Sequence, residues 1–284
     1  AFSIVLAALA SATAPASTMM TIRQTGAKGD FVDTLLQVVA LDDVVGLVLY
    51  SIAISIALAS LSGVSGFSFE TLGNPVLLNL LVLLLGSIFG LFMKLLMPQK
   101  RSKDNKLIIS VALLFAFCGV CALLDLSPLL GCMVMGTVYT NIADDDKLFK
   151  QLNYFSPPLL LLFFVRSGMS FQLDALISPA GALDGVPLLV IGASYFLVRI
   201  LGKYAGAWLG CRLVRKDRLV RNYLGLALIP QAGVAIGLAA LGARTLGGAM
   251  GSDLQTVILA SSVLYELIGP GCAKLALYLS KSYS

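Results

Sequence analysis

The 284-residue sequence contains no histidine, and only 12% of its residues are charged. The absence of imidazole removes the side chain that most often serves as a general base or a metal ligand in enzymes. No metal-ligand cluster and no phosphate-binding loop is present among the remaining residues. These absences argue against an enzyme, and the sequence predicts no cofactor.

The scarcity of charge also argues against a soluble protein. Apolar residues make up 58% of the chain and the mean hydropathy is +0.92, whereas soluble domains carry about 25% charged residues. A soluble fold of this length could not bury so much apolar surface, so the composition predicts a multi-pass protein of the cell (inner or plasma) membrane. No aromatic-interleaved basic patch accompanies the net charge of +5, so the sequence predicts no nucleic-acid partner.

Apolar runs separated by polar segments predict nine membrane-spanning helices, and therefore an all-α polytopic fold. A full crossing needs about 20 residues, so the fifth and sixth segments are short. The predicted spans are 1–22, 33–62, 74–97, 106–124, 128–142, 156–170, 186–212, 220–243 and 254–280.

The loop charges predict the orientation of these spans. The connections 23–32, 98–105, 143–155 and 213–219, together with the C-terminal tail, hold most of the lysines and arginines. The alternate connections, 63–73, 125–127, 171–185 and 244–253, hold only Arg244. Under the positive-inside rule the first set is cytoplasmic.

Two adjacent aspartates, Asp42 and Asp43, lie inside the second apolar run. An ionised carboxylate at mid-bilayer costs about 2.5–3.5 kcal/mol on insertion scales, and two neighbours also repel each other. The helical rise places Asp43, Arg199 and Glu266 about 15–22 Å from the cytoplasmic ends of their helices, near the middle of the hydrocarbon layer. Such a pair at that depth indicates the handling of protons or cations.

Two spans contain helix breakers at a similar depth. The first has Ala14 and Pro15 within SATAPAST, and the eighth has Pro230 and Gln231 within IPQAG. Proline removes a backbone donor and clashes with the preceding turn, and non-helical backbone at this depth must be buried or line a wet cavity. Broken helices in corresponding positions of two halves point to a transporter site, although each proline alone is equally compatible with a kinked packing helix.

The deep charges have several possible pairings. Asp42 and Asp43 point about 100° apart on a helix, so one is expected to pair with a cation while the other faces a cavity; the alternative is an ion pair that only joins two helices. Arg199 is the preferred partner because it stays charged and binds carboxylates bidentately. Lys203 lies one turn later on the same face and either takes part or extends to the interface. Glu266 is either a second cation partner or a structural acid.

Several stretches resemble the cation:proton antiporters of the sodium/hydrogen exchanger superfamily, in particular the bacterial branch with paired aspartates. The most specific are TAPA and ALDD, followed by IPQAG, in this order along the chain. The full set is ATAPAST (12–18), GAKGDFVDTLLQVVALDDVVGLVL (26–49), FFVRSGM (163–169), VRILGKYAGAWLG (198–210), GLALIPQAGVAIGLA (225–239) and YELIGP (265–270).

This resemblance implies a sodium/hydrogen antiporter-like fold with two crossing discontinuous helices, here the first and eighth spans. Residues 1–62 and 186–284 would form an ion-translocating core domain, 63–105 a linker helix with a cytoplasmic loop, and 106–185 the helices of a homodimer interface. The chain begins inside an apolar run without an initiator methionine, so we expect about four N-terminal helices of the full protein to be missing.

The resemblance also assigns roles to residues. Asp43 would carry the proton and the metal cation in turn, Asp42 would pair with a basic residue of the seventh span, and Thr13 would help line the site. Relatives with paired aspartates often have lysine where the alignment places Arg199, and arginine does not release a proton. A one-turn shift would put Lys203 there instead. Arg166 has no assigned role.

The expected function is secondary active exchange of a monovalent cation, Na+ ahead of K+ or Li+, for H+ by alternating access. Two alternatives stay open. A potassium efflux channel or transporter of the same superfamily would share the fold but lack obligatory proton coupling. In a non-transporting membrane scaffold the deep charges would form structural pairs only.

Overall fold

The computed structural model describes residues 1–61, 69–98, 102–124, 126–143, 146–172, 174, 176, 182–183 and 186–283. Within these ranges it contains eleven helices and one antiparallel pair of two-residue strands. The helices are α1 (Phe2–Leu9), α2 (Pro15–Thr25), α3 (Asp30–Leu61), α4 (Phe69–Leu96), α5 (Lys103–Leu123), α6 (Pro128–Ala143), α7 (Asp146–Met169), α8 (Leu188–Leu213), α9 (Arg218–Ala227), α10 (Gly233–Leu246) and α11 (Gly248–Leu279), and the strands are β1 (Ala182–Leu183) and β2 (Val186–Pro187).

The predicted all-α polytopic fold is confirmed. Each of the nine predicted spans coincides with one helix or with a pair of helices separated by a break. Six helices in the described part of the chain contain apolar segments long enough to cross a membrane, and α6 and α10 are shorter apolar helices. The six segments are Asp30–Leu61, Leu77–Leu96, Lys103–Leu123, Leu148–Met169, Leu188–Leu213 and Gly248–Leu279.

Some predicted boundaries are wrong. The span predicted at 156–170 belongs to a helix that begins at Asp146, and the span predicted at 254–280 begins at Gly248. Hydropathy marks the part of a helix that suits hydrocarbon, whereas backbone hydrogen bonding continues into polar residues outside it. The short sixth span is therefore a 24-residue helix, α7, with Pro157 and Pro158 in its interior.

The chain divides into two compact units. One comprises residues 1–64 and 167–284, and the other comprises residues 65–166. The first unit holds α1–α3 and α8–α11, and so contains both broken spans and the aspartate pair. The second holds α4–α6 and most of α7, with a core formed by Met93, Met97, Met135, Tyr139 and Leu148. The predicted roles of residues 1–62 and 186–284 as the core domain, 63–105 as the linker and 106–185 as the homodimer interface stay predictions.

At one end of the first unit, three predicted cytoplasmic segments meet. The ammonium of Lys216 lies 2.6 Å from the Asp30 carboxylate, and the backbone N–H of Lys28 donates to the carbonyl of Ser282 over 3.1 Å. Residues 27–39, 211–228 and 276–277 contribute to one apolar cluster there. The three segments of this unit that the loop charges placed on one side of the membrane therefore lie together.

Helices α8 and α9 pack closely because Gly225 has no side chain. A Cβ at Gly225 would lie 2.6 Å from the Cα of Tyr204, which is closer than real Cβ contacts. The sequence pattern of Gly202, Gly206 and Gly210 predicts close packing on α8, but no described atom lies within 4 Å of a Cβ built at any of the three. Within the described residues, the close approach to α8 is therefore made at Gly225.

We expect Gly225→Ala to destabilise the first unit, because the new methyl group meets backbone that cannot move without displacing α8. Overpacking of this kind costs about 1–3 kcal/mol. Thermal unfolding of the detergent-purified protein should show a lower midpoint for Gly225→Ala and little change for Gly210→Ala, the matched control. Equal midpoints for the two variants would show that α8 and α9 do not approach as described.

Candidate ion-binding site

Two helices of the first unit are interrupted at matching places. Residues 10–14 separate α1 from α2, and residues 228–232 separate α9 from α10. Pro15 is the first residue of α2, where a missing N–H costs nothing, and Ala14 before it is extended (φ −88°, ψ 99°). The fold therefore has the two discontinuous helices that the resemblance predicts.

The two interruptions lie against each other. The backbone N–H of Ala14 donates to the carbonyl of Pro230 over 2.9 Å. The side-chain amide of Gln231, which is fully buried, donates to the carbonyl of Leu9 over 2.8 Å. Each break thus satisfies backbone groups that the other leaves free, as buried backbone requires.

Arg199 of α8 donates hydrogen bonds to three further carbonyls of the two breaks. Its Nε donates to Ala10 over 3.0 Å, its Nη2 to Ala12 over 2.6 Å and its Nη1 to Ile229 over 2.7 Å. The side chain is 3% exposed. One planar guanidinium with several fixed donors therefore holds both interruptions together.

Lys203, one turn after Arg199, lies between the first break and the aspartates. Its ammonium donates to the carbonyl of Ser11 over 2.5 Å and to Oδ2 of Asp42 over 2.6 Å. The same Oδ2 accepts a hydrogen bond from the hydroxyl of buried Thr13 over 2.7 Å. Asp42 is therefore ion-paired and fixed in orientation.

Helix α3 passes close to the first break at a glycine. A Cβ at Gly46 would lie 3.0 Å from the Ser11 hydroxyl oxygen, tighter than most real Cβ contacts. Gly46 lies one turn after the aspartate pair on α3. Helix α3 therefore runs beside residues 10–14 within one turn of the carboxylates.

Asp43 differs from its neighbour. The residue is half-buried, and its Oδ1 is enclosed without a hydrogen-bond partner among the described residues. Buried carboxylate oxygens are normally hydrogen-bonded or bind a cation. Asp42 is therefore ion-paired, whereas Asp43 has an enclosed carboxylate oxygen without a hydrogen-bond partner among the described residues.

Aromatic side chains that the sequence analysis did not single out support this cluster. The Tyr195 hydroxyl donates to Oε1 of Gln231 over 3.2 Å, and the Arg199 guanidinium carbon lies 4.5 Å from the centre of the Tyr265 ring. Tyr195, Arg199 and Lys203 recur every four residues, so all three share one face of α8. That spacing was the available signal for Tyr195.

The prediction that Arg199 is the partner of Asp42 is wrong. The sequence analysis favoured Arg199, but Lys203 forms the ion pair and Arg199 binds backbone carbonyls instead. The reason is that the breaks present several acceptors close together, which suits the multiple donors of a guanidinium. Glu266 is exposed on the surface of the described chain, and Arg166 lies in the other unit.

Paired broken helices around buried charged groups, inside apolar helices, are features of secondary transporters of the membrane. Residues 2–276 match the family model described as "Sodium/hydrogen exchanger, transmembrane". The chain therefore belongs to the sodium/hydrogen exchanger family, which is a family of transporters and not a class of enzymes.

A curated relative carries a related name. The chain is 23% identical over 188 residues to the "High-affinity Na(+)/H(+) antiporter NhaS3" of Synechocystis sp.. The match covers 66% of this chain and 39% of the relative. The chain thus spans less than half of the length of that relative.

We expect Arg199→Met to destabilise the protein strongly, because three buried carbonyls would lose their donors at once. An unsatisfied buried acceptor costs about 1–3 kcal/mol, so the sum is about 3 kcal/mol or more. Thermal unfolding in detergent measures the loss, with the exposed Arg244→Met as the control. Arg199→Lys should recover only part of it, and a parental midpoint for Arg199→Met would refute the bracing role.

Proposed function

We propose that the protein is a secondary active antiporter that exchanges a monovalent cation, Na+ ahead of K+ or Li+, for H+ at Asp43. The observation that supports this most directly is the enclosed Asp43 oxygen without a described hydrogen-bond partner, next to an aspartate that is already paired. A carboxylate in this position gains by binding either a proton or a cation.

The chemistry around Asp43 suits a hard cation. Oxygen ligands are the kind that such ions prefer, and the neighbourhood offers the carboxylates of Asp42 and Asp43 with the hydroxyl of Thr13. Because the Thr13 hydroxyl donates its hydrogen to Asp42, its oxygen lone pairs remain available to an ion. Carbonyls of the interrupted segments supply further ligands in this proposal.

The charges of the site explain why the two ions compete. With both aspartates ionised and with Arg199 and Lys203 protonated, the four groups sum to zero net charge. A bound cation then adds a positive charge in a poorly solvated place, which is costly. A proton on Asp43 adds the same single positive charge, so the proton and the cation exclude each other at the site and one carboxylate couples the two fluxes.

Lys203 opens a second route for the proton. As the partner of Asp42, it can release a proton when a cation draws the carboxylate away, whereas an arginine would stay charged. In this proposal Lys203, and not Arg199, is the basic residue beside Asp42, as the one-turn shift in alignment would place it, and a second exchanged proton then has a source. We include two protons per cation in the proposal.

The alternating-access part of the proposal assigns the site to residues 1–62 and 186–284. Among the described residues, the hydrogen bonds cited for Asp42, Arg199 and Lys203 lie within these two segments. In the proposal this part of the chain moves as one body. We retain residues 106–185 as the proposed homodimer interface, as the resemblance implies.

Replacement of the ion-binding carboxylate tests the function. We expect Asp43→Asn in the complete protein to abolish cation-driven proton flux in proteoliposomes, because the neutral amide cannot exchange a proton for a cation. Asp33→Asn, the same change at an exposed position of the same helix, should retain full flux. Na+, Li+ and K+ are supplied in turn to measure selectivity.

Full proton flux from Asp43→Asn would refute the assignment of Asp43. Cation current without proton movement in the parent protein would refute antiport and favour a channel. If neutral replacements of Asp42 and Asp43 lowered only the stability, with no flux in the parent, the deep charges would be structural.

The proposed role of Lys203 has a separate test. Lys203→Arg keeps the positive charge beside Asp42 but cannot release a proton. We expect this variant to exchange one proton fewer per cation, so that transport no longer generates a membrane voltage. Voltage-sensitive dye measured together with internal pH reports the ratio, and an unchanged ratio would exclude Lys203 from the proton pathway.

A further inference from the structure

A dense group of cations lies where α8 ends and α9 begins, well away from the aspartate site. The residues 212–221 contain five basic side chains and one acid, Asp217. Asp217 caps the first turn of α9, and Lys216 is paired with Asp30. The four remaining basic residues, which we call the arginine group, are Arg212, Arg215, Arg218 and Arg221.

None of the arginine group forms an ion pair with a carboxylate in the part of the chain that the structure describes. Arg212, Arg215 and Arg218 are exposed. Arg221 is half-buried, and its Nε is an enclosed donor without a partner among the described residues. The group therefore has donors and positive charge to offer to a ligand.

Trp208, the single tryptophan of the chain, brings two of these charges together. The guanidinium carbon of Arg212 lies 5.1 Å from the Trp208 ring and that of Arg221 lies 5.7 Å from it. The two carbons are therefore at most about 11 Å apart. An anion bound between them would be attracted by both charges.

The surroundings of the arginine group are apolar as well as basic. Leu209, Leu213 and Val214 are 53%, 82% and 70% exposed on the same end of α8. Tryptophan and arginine beside exposed aliphatic side chains are typical of the boundary between hydrocarbon and headgroups. A ligand here meets cations and hydrocarbon-like surface at once.

We propose that the arginine group and Trp208 form a binding site for the headgroup of an anionic phospholipid. In this proposal the phosphate accepts hydrogen bonds from Arg212 and Arg221, whose guanidinium carbons lie 5.1 and 5.7 Å from the centre of the Trp208 ring. The acyl chains cover Leu209, Leu213 and Val214. The positive-inside rule places this end of α8 on the cytoplasmic side, so the lipid belongs to that leaflet.

The apolar part of the surface selects a lipid over a free phosphate compound. A soluble phosphate monoester would meet the guanidiniums but would leave the aliphatic side chains exposed. A zwitterionic lipid would cover those side chains but carry a cation of its own next to the arginines. An anionic diacyl lipid satisfies both requirements.

Native mass spectrometry of the complete protein in detergent tests this site. Phosphatidylglycerol is titrated against phosphatidylcholine with the same acyl chains, and glycerol phosphate serves as the headgroup without chains. We expect retention of phosphatidylglycerol only. Equal retention of phosphatidylcholine, or equal binding of glycerol phosphate, would overturn the proposal.

Variants locate the lipid. Each arginine near an anionic lipid surface contributes about a factor of five in affinity, so Arg212→Gln with Arg221→Gln should weaken phosphatidylglycerol binding about 30-fold. The matched control, Arg244→Gln, removes an exposed arginine from α10 and should leave binding unchanged. Equal loss in the control, or no loss in the double variant, would contradict the assigned site.

A second double variant distinguishes loss of binding from misfolding. Arg215→Gln with Arg218→Gln alters only exposed side chains of the same group, so the fold should be preserved while binding weakens. The thermal midpoint without lipid identifies a misfolded variant. A folded pair with parental affinity for phosphatidylglycerol would also count against the proposal.

Discussion

The structure of the candidate ion site depends on where the backbone hydrogen bonds of two broken helices go. Inside a membrane, water is not available to satisfy a freed carbonyl, so another part of the protein must do so. Arg199 provides donors for Ala10, Ala12 and Ile229 from one side chain. The two interruptions can therefore persist at this place, and the aspartates can be held next to them.

Arg199 and Lys203, two basic residues one turn apart on α8, have different partners. Arg199 is held by backbone acceptors, so its charge and position do not depend on the state of a carboxylate. Lys203 is held partly by Asp42, whose environment changes in the proposed mechanism when an ion binds. In that proposal a permanent charge holds the two breaks together, while the charge next to the carboxylate is one that can be lost.

Much of this site could be predicted from sequence because charged residues and prolines are unusual in the middle of membrane-spanning helices. Asp42 and Asp43 in an apolar run, and Pro15 and Pro230 inside spans, conflict with lipid or with helix geometry and so attract attention. The choice between Arg199 and Lys203 could not be predicted, because residues four apart share a face and differ by only about 6 Å along the axis. Which of them meets a carboxylate depends on where the breaks present their carbonyls, and that is a tertiary property.

Helix α8 shows how the same constraint acts at two depths. Lys203 and Arg212 are nine residues apart, about 14 Å along the axis. At the depth of Lys203 a charge must find its partner inside the protein, and it does so in Asp42 and a backbone carbonyl. At Arg212 the proposed lipid site supplies phosphate groups, so the guanidiniums of the arginine group need no carboxylate partners there, although Asp30 and Asp217 belong to the same end of the unit.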